Sequence, residues 1–357
     1  MKRILCMIEN LSQGGAERQL VGLACMLKDK GFPIKLITYN EDSFYKHILD
    51  ENSVENEYIY EAHNKIRRIP SLIRVIKAYN PDVLISYLST PSAIACIAKM
   101  LGGKFKLIVS ERNTTQALTF KDKVFFSLYR YADVIVPNSY SQTDFLCKNY
   151  PAYKGKITTI TNFVDTEIFH PEKKMFETSV HNFLCVARIA PQKNVLKFLD
   201  VIKILKDKGL NFHINWFGKK SRDYYEVCEN KRCELGLEDY VIFHDPVTDI
   251  LTEYNRAEAL VLPSLYEGFP NAVCEGMSCG LPILCSNICD NKRIVNDRVN
   301  GLLFDPTSVI NMAETMGKFM SMTESKRQEM SLQSRKSALE AFSKETFIKK
   351  YIDLIEN

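Results

Sequence analysis

The sequence lacks a long hydrophobic segment. Its longest span without a charged residue is Val83–Ala98, which Pro91 divides. That span is shorter than the ~20 residues that a membrane-crossing helix needs. Met1-Lys2-Arg3 leads into an apolar stretch that already ends at Glu9, which is not the pattern of a signal peptide. We therefore expect no transmembrane segment and a cytoplasmic location.

The sequence also lacks a metal-binding arrangement of its eleven cysteines. They are scattered, and many fall inside apolar segments. Cys228/Cys233 and Cys274/Cys279 have four intervening residues and no histidine at ligand spacing. Reduced, buried thiols are the simpler interpretation, and they fit the cytoplasm.

The net charge of +4 is unevenly distributed. Residues 64–156 carry 15 Lys and Arg against five Asp and Glu, so the rest of the chain is net negative. Such a region is often only a solvated face, but it also suits an anionic membrane surface, which gains about 1 kcal/mol per nearby basic residue. Nucleic acid is the competing partner, yet the sequence contains no recognised nucleic-acid motif.

Buried strands alternate with helices along the whole chain, for example at Arg3–Ile8, Ile34–Thr38, Phe212–Phe217 and Ala259–Leu262. This alternation predicts βα units with parallel strands. The length predicts two domains. We place the hinge at Asn162–Asp165, which gives domains 1–165 and 166–342. The predicted fold class is α/β, with two Rossmann-like, doubly wound parallel sheets.

The stretch 263–282, which follows the predicted strand Ala259–Leu262, predicts a tight turn and a short helix. Asn271 is the expected N-cap, and Gly276 inside the helix predicts a close neighbour, since glycine costs roughly 1 kcal/mol there relative to alanine. The free N–H groups of such a helix start attract anions. Glu267 and Glu275 flank this point, and carboxylates accept hydrogen bonds from sugar hydroxyls.

Two cations, Arg188 and Lys193, lie five residues apart in the loop that enters the next predicted helix, from Val195. Cations are unfavourable near a helix N-terminus. An external anion would offset them, although two solvated loop cations are the alternative.

Ligands of parallel sheets bind beyond the carboxyl ends of the strands. In the first half this rule selects Gly14-Gly15, Ser89-Thr90, Glu111-Arg112 and Asn138-Ser139. Gly14-Gly15 before a helix is a weak phosphate signal, and a generic strand–helix turn is as good an interpretation.

Three motifs together carry a resemblance: Glu267–Glu275 as E-x7-E, Arg188/Lys193 as R-x4-K, and Gly14-Gly-Ala-Glu17. They are similar to those of retaining glycosyltransferases of family 4 (group 1), which have the GT-B architecture of two Rossmann-like domains that face each other across a cleft. In GT-B proteins the last helix crosses back, so residues 343–357 are expected on the first domain.

The resemblance also implies roles for individual residues. Arg188 and Lys193 would grip the diphosphate, Glu267 the donor sugar and Glu275 the ribose. The remaining donor-binding residues would be Gly15, Gly218, Pro246, Val247, Gly268, Phe269, Pro270 and Asn271. Those on the acceptor or cleft side would be Glu17, Glu111, Arg112 and Asn138. Many relatives have a histidine where this chain has Arg112. The arginine would suit an anionic acceptor phosphate.

The implied reaction moves a hexose or N-acetylhexosamine from a nucleoside-diphosphate sugar to an acceptor hydroxyl. The segment Ser110-Glu111-Arg112-Asn113 looks like that of bacterial transferases that build surface polysaccharide on polyprenyl diphosphate, usually from UDP-linked donors. No Asp-x-Asp, the metal-clamping motif of the other major transferase architecture, occurs in the chain. We therefore expect no metal or other cofactor.

Two other functions stay open at this point. A UDP-sugar epimerase of the same architecture would isomerise a donor without an acceptor. A non-catalytic scaffold would use only the basic face. A dinucleotide-dependent dehydrogenase has little support, because no G-x-G-x-x-G occurs.

Overall fold

The computed structural model describes residues 1–112, 115, 118–172 and 180–357. This part of the chain forms two compact units. Unit 1 comprises Met1–Phe163 and Glu345–Asn357, and unit 2 comprises Val164–Lys344. The boundaries predicted from the sequence, after residues 165 and 342, each lie two residues from these.

Unit 1 is built on a parallel sheet with the strand order β3-β2-β1-β4-β5-β6. The strands are β1 (Ile4–Met7), β2 (Ile34–Thr38), β3 (Glu55–Tyr58), β4 (Val83–Tyr87), β5 (Lys106–Glu111) and β6 (Val134–Pro137). The helices that connect and follow these strands are α1 (Gly15–Asp29), α2 (Lys46–Glu51), α3 (Arg68–Tyr79), α4 (Ser89–Met100), α5 (Phe120–Leu128) and α6 (Tyr140–Asn149). Every residue of β1 and β4 is buried, because helices cover both faces of the sheet's centre.

Unit 2 repeats this plan with the strand order β12-β11-β10-β7-β8-β9. Its strands are β7 (His181–Val186), β8 (Phe212–Phe217), β9 (Val241–His244), β10 (Ala259–Leu262), β11 (Ile283–Ser286) and β12 (Gly301–Phe304). Its helices are α7 (Val195–Asp207), α8 (Arg222–Glu234), α9 (Ile250–Arg256), α10 (Asn271–Ser278), α11 (Asn291–Ile294), α12 (Val309–Met320) and α13 (Glu324–Phe342). Both sheets are doubly wound, which confirms the predicted fold class.

The glycine inside α10 has the packing role that its position predicts. A Cβ at Gly276 would lie 3.2 Å from a methyl carbon of Leu260 and 3.4 Å from one of Ile283. Glycine therefore lets this short, buried helix pack closely on strands β10 and β11.

The last helix, α14 (Lys344–Glu356), belongs to unit 1 from residue 345 on. Phe347 packs on Phe163 with ring centroids 5.0 Å apart, and Tyr351 is fully buried. Lys2 Nζ donates to Ile355 O at 2.6 Å. The helix thus completes the hydrophobic core of unit 1.

Some elements differ from those that the sequence predicts. The sequence did not predict strand β3, because its residues are mostly exposed and two of its four are glutamates. The strand pairs with β2, where Lys35 forms ion pairs with Glu55 and Glu57. The alternation along the sequence also predicts a strand at Ile157–Ile160. This prediction is wrong, because only an isolated bridge joins Ile157 to Ile135. No helix in the described part of the chain is long and apolar enough to cross a membrane.

Candidate functional site

The sheet of unit 2 reverses its winding direction between β7 and β10, its two adjacent central strands. The chain leaves β7 toward β8 on one side and leaves β10 toward β11 on the other. The loops at the carboxyl ends of β7 and β10 therefore diverge and leave a crevice, which is where open α/β sheets bind ligands. These loops, 187–194 and 263–270, contain half of the predicted donor-binding residues, among them Arg188, Lys193 and Glu267.

Backbone hydrogen bonds hold the loop after β7 in place. The Ala187 amide donates to Phe217 O at 3.0 Å, and Trp216 Nε1 donates to Ala187 O at 2.8 Å. Gly218 permits this contact, because a Cβ there would lie only 2.0 Å from Ala187 O. Arg188 follows immediately, is exposed, and has no ion-pair partner among the described residues. The loop thus presents a free guanidinium from a fixed backbone.

The two loops are joined by an ion pair. Lys193 Nζ lies 2.5 Å from Glu267 Oε1, and the two side chains are only 12% and 8% exposed. Gln192 reinforces the junction, since its carbonyl accepts from the Leu265 amide at 2.9 Å and its side chain donates to Tyr266 O at 2.8 Å. The structure therefore brings Lys193 and Glu267 together, although 73 residues separate them in the sequence.

Helix α10 starts beside this pair. The prediction that Asn271 is its N-cap is wrong: Pro270 occupies that position, and no side chain caps the helix. The first helical hydrogen bond runs from the Cys274 amide to Pro270 O at 3.3 Å, so Asn271 is inside the first turn. Gly268 is partly exposed, and Phe269 is buried against the ring of Phe342. No side chain caps the start of α10, so the positive end of the helix dipole there is not offset by a side-chain oxygen, which favours an anion.

Glu275 is buried one turn into α10 and is oriented by a residue that the sequence reasoning missed. The hydroxyl of Tyr254 donates to Glu275 Oε2 at 3.0 Å and lies 3.3 Å from Ala272 O. Tyr254 is fully buried in α9. Nothing in its local sequence distinguishes it from an ordinary core tyrosine, so only the tertiary structure reveals the contact.

Pro246 and Val247 lie in an exposed loop that follows β9. Before them, His244 stacks on Phe217 at 4.3 Å and pairs with Asn215 Oδ1 at 2.9 Å. Burial lowers the pKa of His244. A cavity of about 610 Å³ lies along this face of the sheet, but Arg188, Lys193 and Glu267 do not line it.

The winding of unit 1 reverses between β1 and β4, and the loop after β1 enters α1 at Gly15. Glu17 is buried in the first turn, where Ser12 Oγ donates to its carboxylate at 3.5 Å. A Cβ at Gly14 would lie 2.0 Å from Glu17 Oε2, so glycine makes room for this carboxylate. Burial, and secondarily the charges of Glu9 and Asp42, raise the pKa of Glu17.

Glu111 is buried at the end of β5, where Tyr129 donates a hydrogen bond to Oε1 and Ser89 donates to Oε2 at 3.4 Å. Burial raises the pKa of Glu111 to about 7 against the opposing effect of these two hydrogen bonds. This carboxyl group can therefore change its protonation state near neutral pH.

Arg112 points into unit 1. Its two terminal nitrogens donate to Asn162 Oδ1 at 2.9 Å and to Tyr351 Oη at 2.8 Å, and its guanidinium lies 4.0 Å from the ring centroid of Tyr87. Asn138 is buried nearby, with its Nδ2 3.5 Å from Arg112 O. Arg112 thus connects β5 to α14, and its contact with an acceptor phosphate stays a prediction. Asn113 lies outside the described residues.

Among residues 1–112, 115, 118–172 and 180–357, no group of three or more His, Cys, Asp or Glu side chains is placed to hold a metal ion. Burial raises the pKa of Cys185 and Cys285 in unit 2, so both are protonated thiols at neutral pH. Burial, together with the nearby Glu275 and Asp290 charges, raises the pKa of Cys274 well above its usual value.

Comparison with known proteins agrees with this organisation. The family model described as Glycosyltransferase Family 4 matches residues 13–168, and the model described as Glycosyl transferases group 1 matches residues 167–337. The two matches meet close to the boundary between the units, so each unit corresponds to one family model.

Two transferases of Campylobacter jejuni are similar to the chain over most of its length. The N-acetylgalactosamine-N,N'-diacetylbacillosaminyl-diphospho-undecaprenol 4-alpha-N-acetylgalactosaminyltransferase is 25% identical over 326 residues, which are 85% of this chain and 86% of the relative. The GalNAc-alpha-(1->4)-GalNAc-alpha-(1->3)-diNAcBac-PP-undecaprenol alpha-1,4-N-acetyl-D-galactosaminyltransferase is 27% identical over 331 residues, 88% of each chain.

The fold is similar to that of the crystal structure of Anabaena HepE in complex with UDP and glucose. The TM-score is 0.85 at 16% identity, and the match covers 100% of both chains. The two doubly wound units, the paired family matches and this similarity lead to one assignment. The chain belongs to the group 1, family 4 glycosyltransferases and has the GT-B fold.

Proposed function

We propose that the protein is a retaining transferase that moves a hexose or N-acetylhexosamine from a UDP-sugar to a hydroxyl of a polyprenyl-diphosphate-linked glycan. The observation that carries this proposal is the buried Lys193–Glu267 ion pair, which joins the two loops at the switch point of unit 2. The names of the two C. jejuni relatives support a lipid-diphosphate acceptor, and the UDP in the HepE complex supports the donor.

The charges at the switch point suit a diphosphate. An ammonium group has three protons, and the contact with Glu267 uses one of them, so Lys193 retains donors for phosphate oxygens. Glu267 holds Lys193 in place before the donor arrives. Arg188, exposed and without an ion-pair partner in the described residues, supplies a second, bidentate donor. The uncapped start of α10 adds backbone N–H dipoles.

These groups favour cleavage of the donor. As the bond between the anomeric carbon and the diphosphate oxygen breaks, negative charge grows on the UDP leaving group. Preorganised cations and dipoles stabilise that charge most effectively in the transition state. The acceptor oxygen forms the new bond on the same face, and its proton passes to the oxygen of the departing phosphate. This step requires no nucleophilic carboxylate and preserves the anomeric configuration.

The other donor contacts follow from position. Glu267 accepts hydrogen bonds from hydroxyls of the transferred sugar through its remaining lone pairs. Glu275, oriented by Tyr254, accepts from the ribose hydroxyls. The exposed loop with Pro246 and Val247 contacts the base, and Gly218 keeps the neighbouring backbone in reach.

Unit 1 would bind the acceptor. Glu17 and Glu111 accept hydrogen bonds from acceptor hydroxyls, and Asn138 contributes a polar contact. Arg112 supplies positive charge from inside the unit, because its terminal nitrogens are already hydrogen-bonded there. Since Arg188 and Lys193 neutralise the leaving group, we also propose that no divalent metal is needed. Chelation with EDTA should then leave the rate unchanged, whereas a metal requirement would abolish turnover.

A panel of nucleotide sugars tests the reaction. UDP release is measured for UDP-, GDP- and ADP-linked sugars, with and without a short-chain polyprenyl-diphosphate monosaccharide. We expect UDP release from one UDP-sugar, stimulated by the acceptor, and a product with the anomeric configuration of the donor by NMR. Conversion of the donor into an isomer without UDP release would instead favour an epimerase.

Peripheral binding to an anionic membrane is part of this proposal. Ile66 and Phe120 are 88% and 84% exposed, and each lies among basic residues, Lys65 and Arg67 in one case and Lys121 and Lys123 in the other. Ile66 precedes α3 and Phe120 is the first residue of α5, and both helices start at the carboxyl edge of the sheet. Apolar side chains flanked by cations suit the interface of an anionic bilayer.

Liposome co-sedimentation tests this surface. The double change Ile66→Asp and Phe120→Asp should reduce binding to anionic vesicles at low salt, and high salt should weaken binding by the wild type. Leu332→Asp, at a residue of α13 that is 71% exposed, is the matched control and should bind as the wild type does. Equal binding by both variants would refute a role for this surface.

A further inference from the structure

Unit 1 contains a cavity of about 260 Å³ that the predicted site does not include. It lies beside the carboxyl ends of β2 and β3 and is closed on one side by the loop 40–46. Its lining includes Leu36, Thr38, Asn40, Glu41, Asp42 and Tyr58. Its volume is below the roughly 300–1,000 Å³ typical of sites for drug-sized ligands. It therefore suits a small ligand such as one sugar ring.

Hydrogen bonds to the loop after β1 hold the wall of this cavity in place. The Leu11 amide donates to Asp42 O at 3.2 Å, and the Tyr45 amide donates to Leu11 O at 3.1 Å. The Asn40 amide donates to Glu9 O at 2.8 Å, and the Phe44 amide to Asp42 Oδ1 at 3.2 Å. The wall is thus preformed and directly connected to the segment that leads into α1.

Unpaired polar groups face this space. Thr38 is 6% exposed and lines the cavity, yet its hydroxyl has no hydrogen-bond partner in the part of the chain that the structure describes. Asn40 accepts from Arg68 through Oδ1, which leaves its Nδ2 as a donor. The Thr38 hydroxyl and the Asn40 amide can therefore donate to a ligand hydroxyl in this space.

The charge of the cavity is negative. Two of its charged residues are already paired, Lys46 with Asp50 at 2.5 Å and Glu57 with Lys35 at 2.7 Å. Glu41 and Asp42 have no cation partner among the described residues. Uncompensated carboxylates repel phosphate and accept hydrogen bonds from hydroxyls. Tyr58, which is 38% exposed, adds apolar surface on which a sugar ring can pack.

The cavity lies close to Glu17, one of the residues proposed to bind the acceptor. Asp42 and Glu9 are among the groups whose charges raise the pKa of Glu17, after the larger effect of burial. Asp42 therefore lies close enough to influence the first turn of α1.

We propose that this cavity binds a neutral sugar ring of the acceptor glycan. Hydroxyls of that sugar donate to Glu41 and Asp42, and accept from Asn40 and Thr38, while its apolar face packs on Tyr58. This assignment rests on the proposed transferase function and adds to it a subsite for the glycan, separate from the basic residues that suit the lipid diphosphate.

Ligand-observed NMR with methyl α-glycosides of glucose, galactose, N-acetylglucosamine, N-acetylgalactosamine and mannose tests the subsite at tens of millimolar sugar. The double variant Glu41→Gln and Asp42→Asn keeps the side-chain shapes and the acceptor for the Phe44 amide. Asp29→Asn with Glu51→Gln, at exposed acids of unit 1 outside the cavity, is the matched control.

At least one glycoside should bind the wild type and the control equally, and bind the cavity variant at least fivefold more weakly. Hydrolysis of the UDP-sugar without acceptor should be unchanged in all three proteins. Equal glycoside binding by the cavity variant, binding of only cationic amines, or no glycoside binding by the wild type would overturn the subsite. Failure of the transferase proposal is distinguishable, because then no donor is cleaved while glycoside binding stays measurable.

Discussion

Replacing Gly218 with alanine tests whether the loop that carries Arg188 must lie where the structure puts it. The added Cβ would lie 2.0 Å from Ala187 O, 2.5 Å from Ala187 C and 3.0 Å from Arg188 N. All three are backbone atoms, so no side-chain rotation can relieve the overlap. The loop after β7 or the end of β8 must move by about 1 Å to restore ordinary contact distances.

The size of the effect follows from what that movement breaks. The shift opposes the Trp216–Ala187 and Ala187–Phe217 hydrogen bonds, at 2.8 Å and 3.0 Å. Overpacking of this kind costs about 1–3 kcal/mol of the free energy of unfolding. A displacement of about 1 Å in a residue that positions a reacting group can lower the rate roughly 100-fold.

Thermal unfolding and donor hydrolysis measure both effects. Gly218→Ala should lower the melting temperature by several degrees and reduce UDP release. Gly317→Ala is the matched control, because nothing lies within 4 Å of a Cβ at this position in helix α12. Alanine there should leave activity unchanged and stabilise the helix by up to about 1 kcal/mol. Wild-type stability and activity in Gly218→Ala would refute the close approach at Ala187.

Two further predictions concern buried polar side chains. Tyr254→Phe removes the hydroxyl that donates to Glu275, which should cost roughly 1–3 kcal/mol of the binding free energy of UDP. The Kd for UDP in calorimetry should therefore rise about fivefold or more, and an unchanged Kd would contradict the ribose role of Glu275. Burial raises the pKa of Glu111 from 4.5 to about 7, so its contribution to stability is fully present below about pH 4.5 and is lost as the pH rises through 7. Relative to Glu111→Gln, the wild type should therefore lose up to about 3 kcal/mol between these pH values in urea unfolding, and parallel pH profiles would exclude this titration.

The architecture was largely predictable because it depends on local patterns. Strands such as Ile34–Thr38, Phe212–Phe217 and Ala259–Leu262 are short runs rich in apolar residues between helices, and the structure has them with the predicted bounds. The glycine of α10 was predictable for the same reason, since an unfavourable residue in a short helix indicates a close neighbour.

Contacts that depend on strand order were not predictable. Lys193 meets Glu267 only because β7 and β10 are adjacent, and no local pattern records this adjacency. Tyr254 is likewise identified only by its distance from Glu275. The cap of α10 was mispredicted because Asn is a common N-cap, whereas here the first helical hydrogen bond, from the Cys274 amide to Pro270 O, places Pro270 at that position.

Single-turnover cleavage of the donor by Lys193→Met tests most directly whether the switch point of unit 2 stabilises a departing diphosphate. Lys197→Met, in α7, is the control, since that ammonium donates only to Thr307 O among the described residues. Lys193→Arg keeps a cation for the buried Glu267, so it separates the loss of a donor from a folding defect. Loss of one preorganised donor should slow cleavage roughly 100–1,000-fold in Lys193→Met, with a smaller loss in Lys193→Arg and none in Lys197→Met. Cleavage by folded Lys193→Met at the wild-type rate would contradict the account.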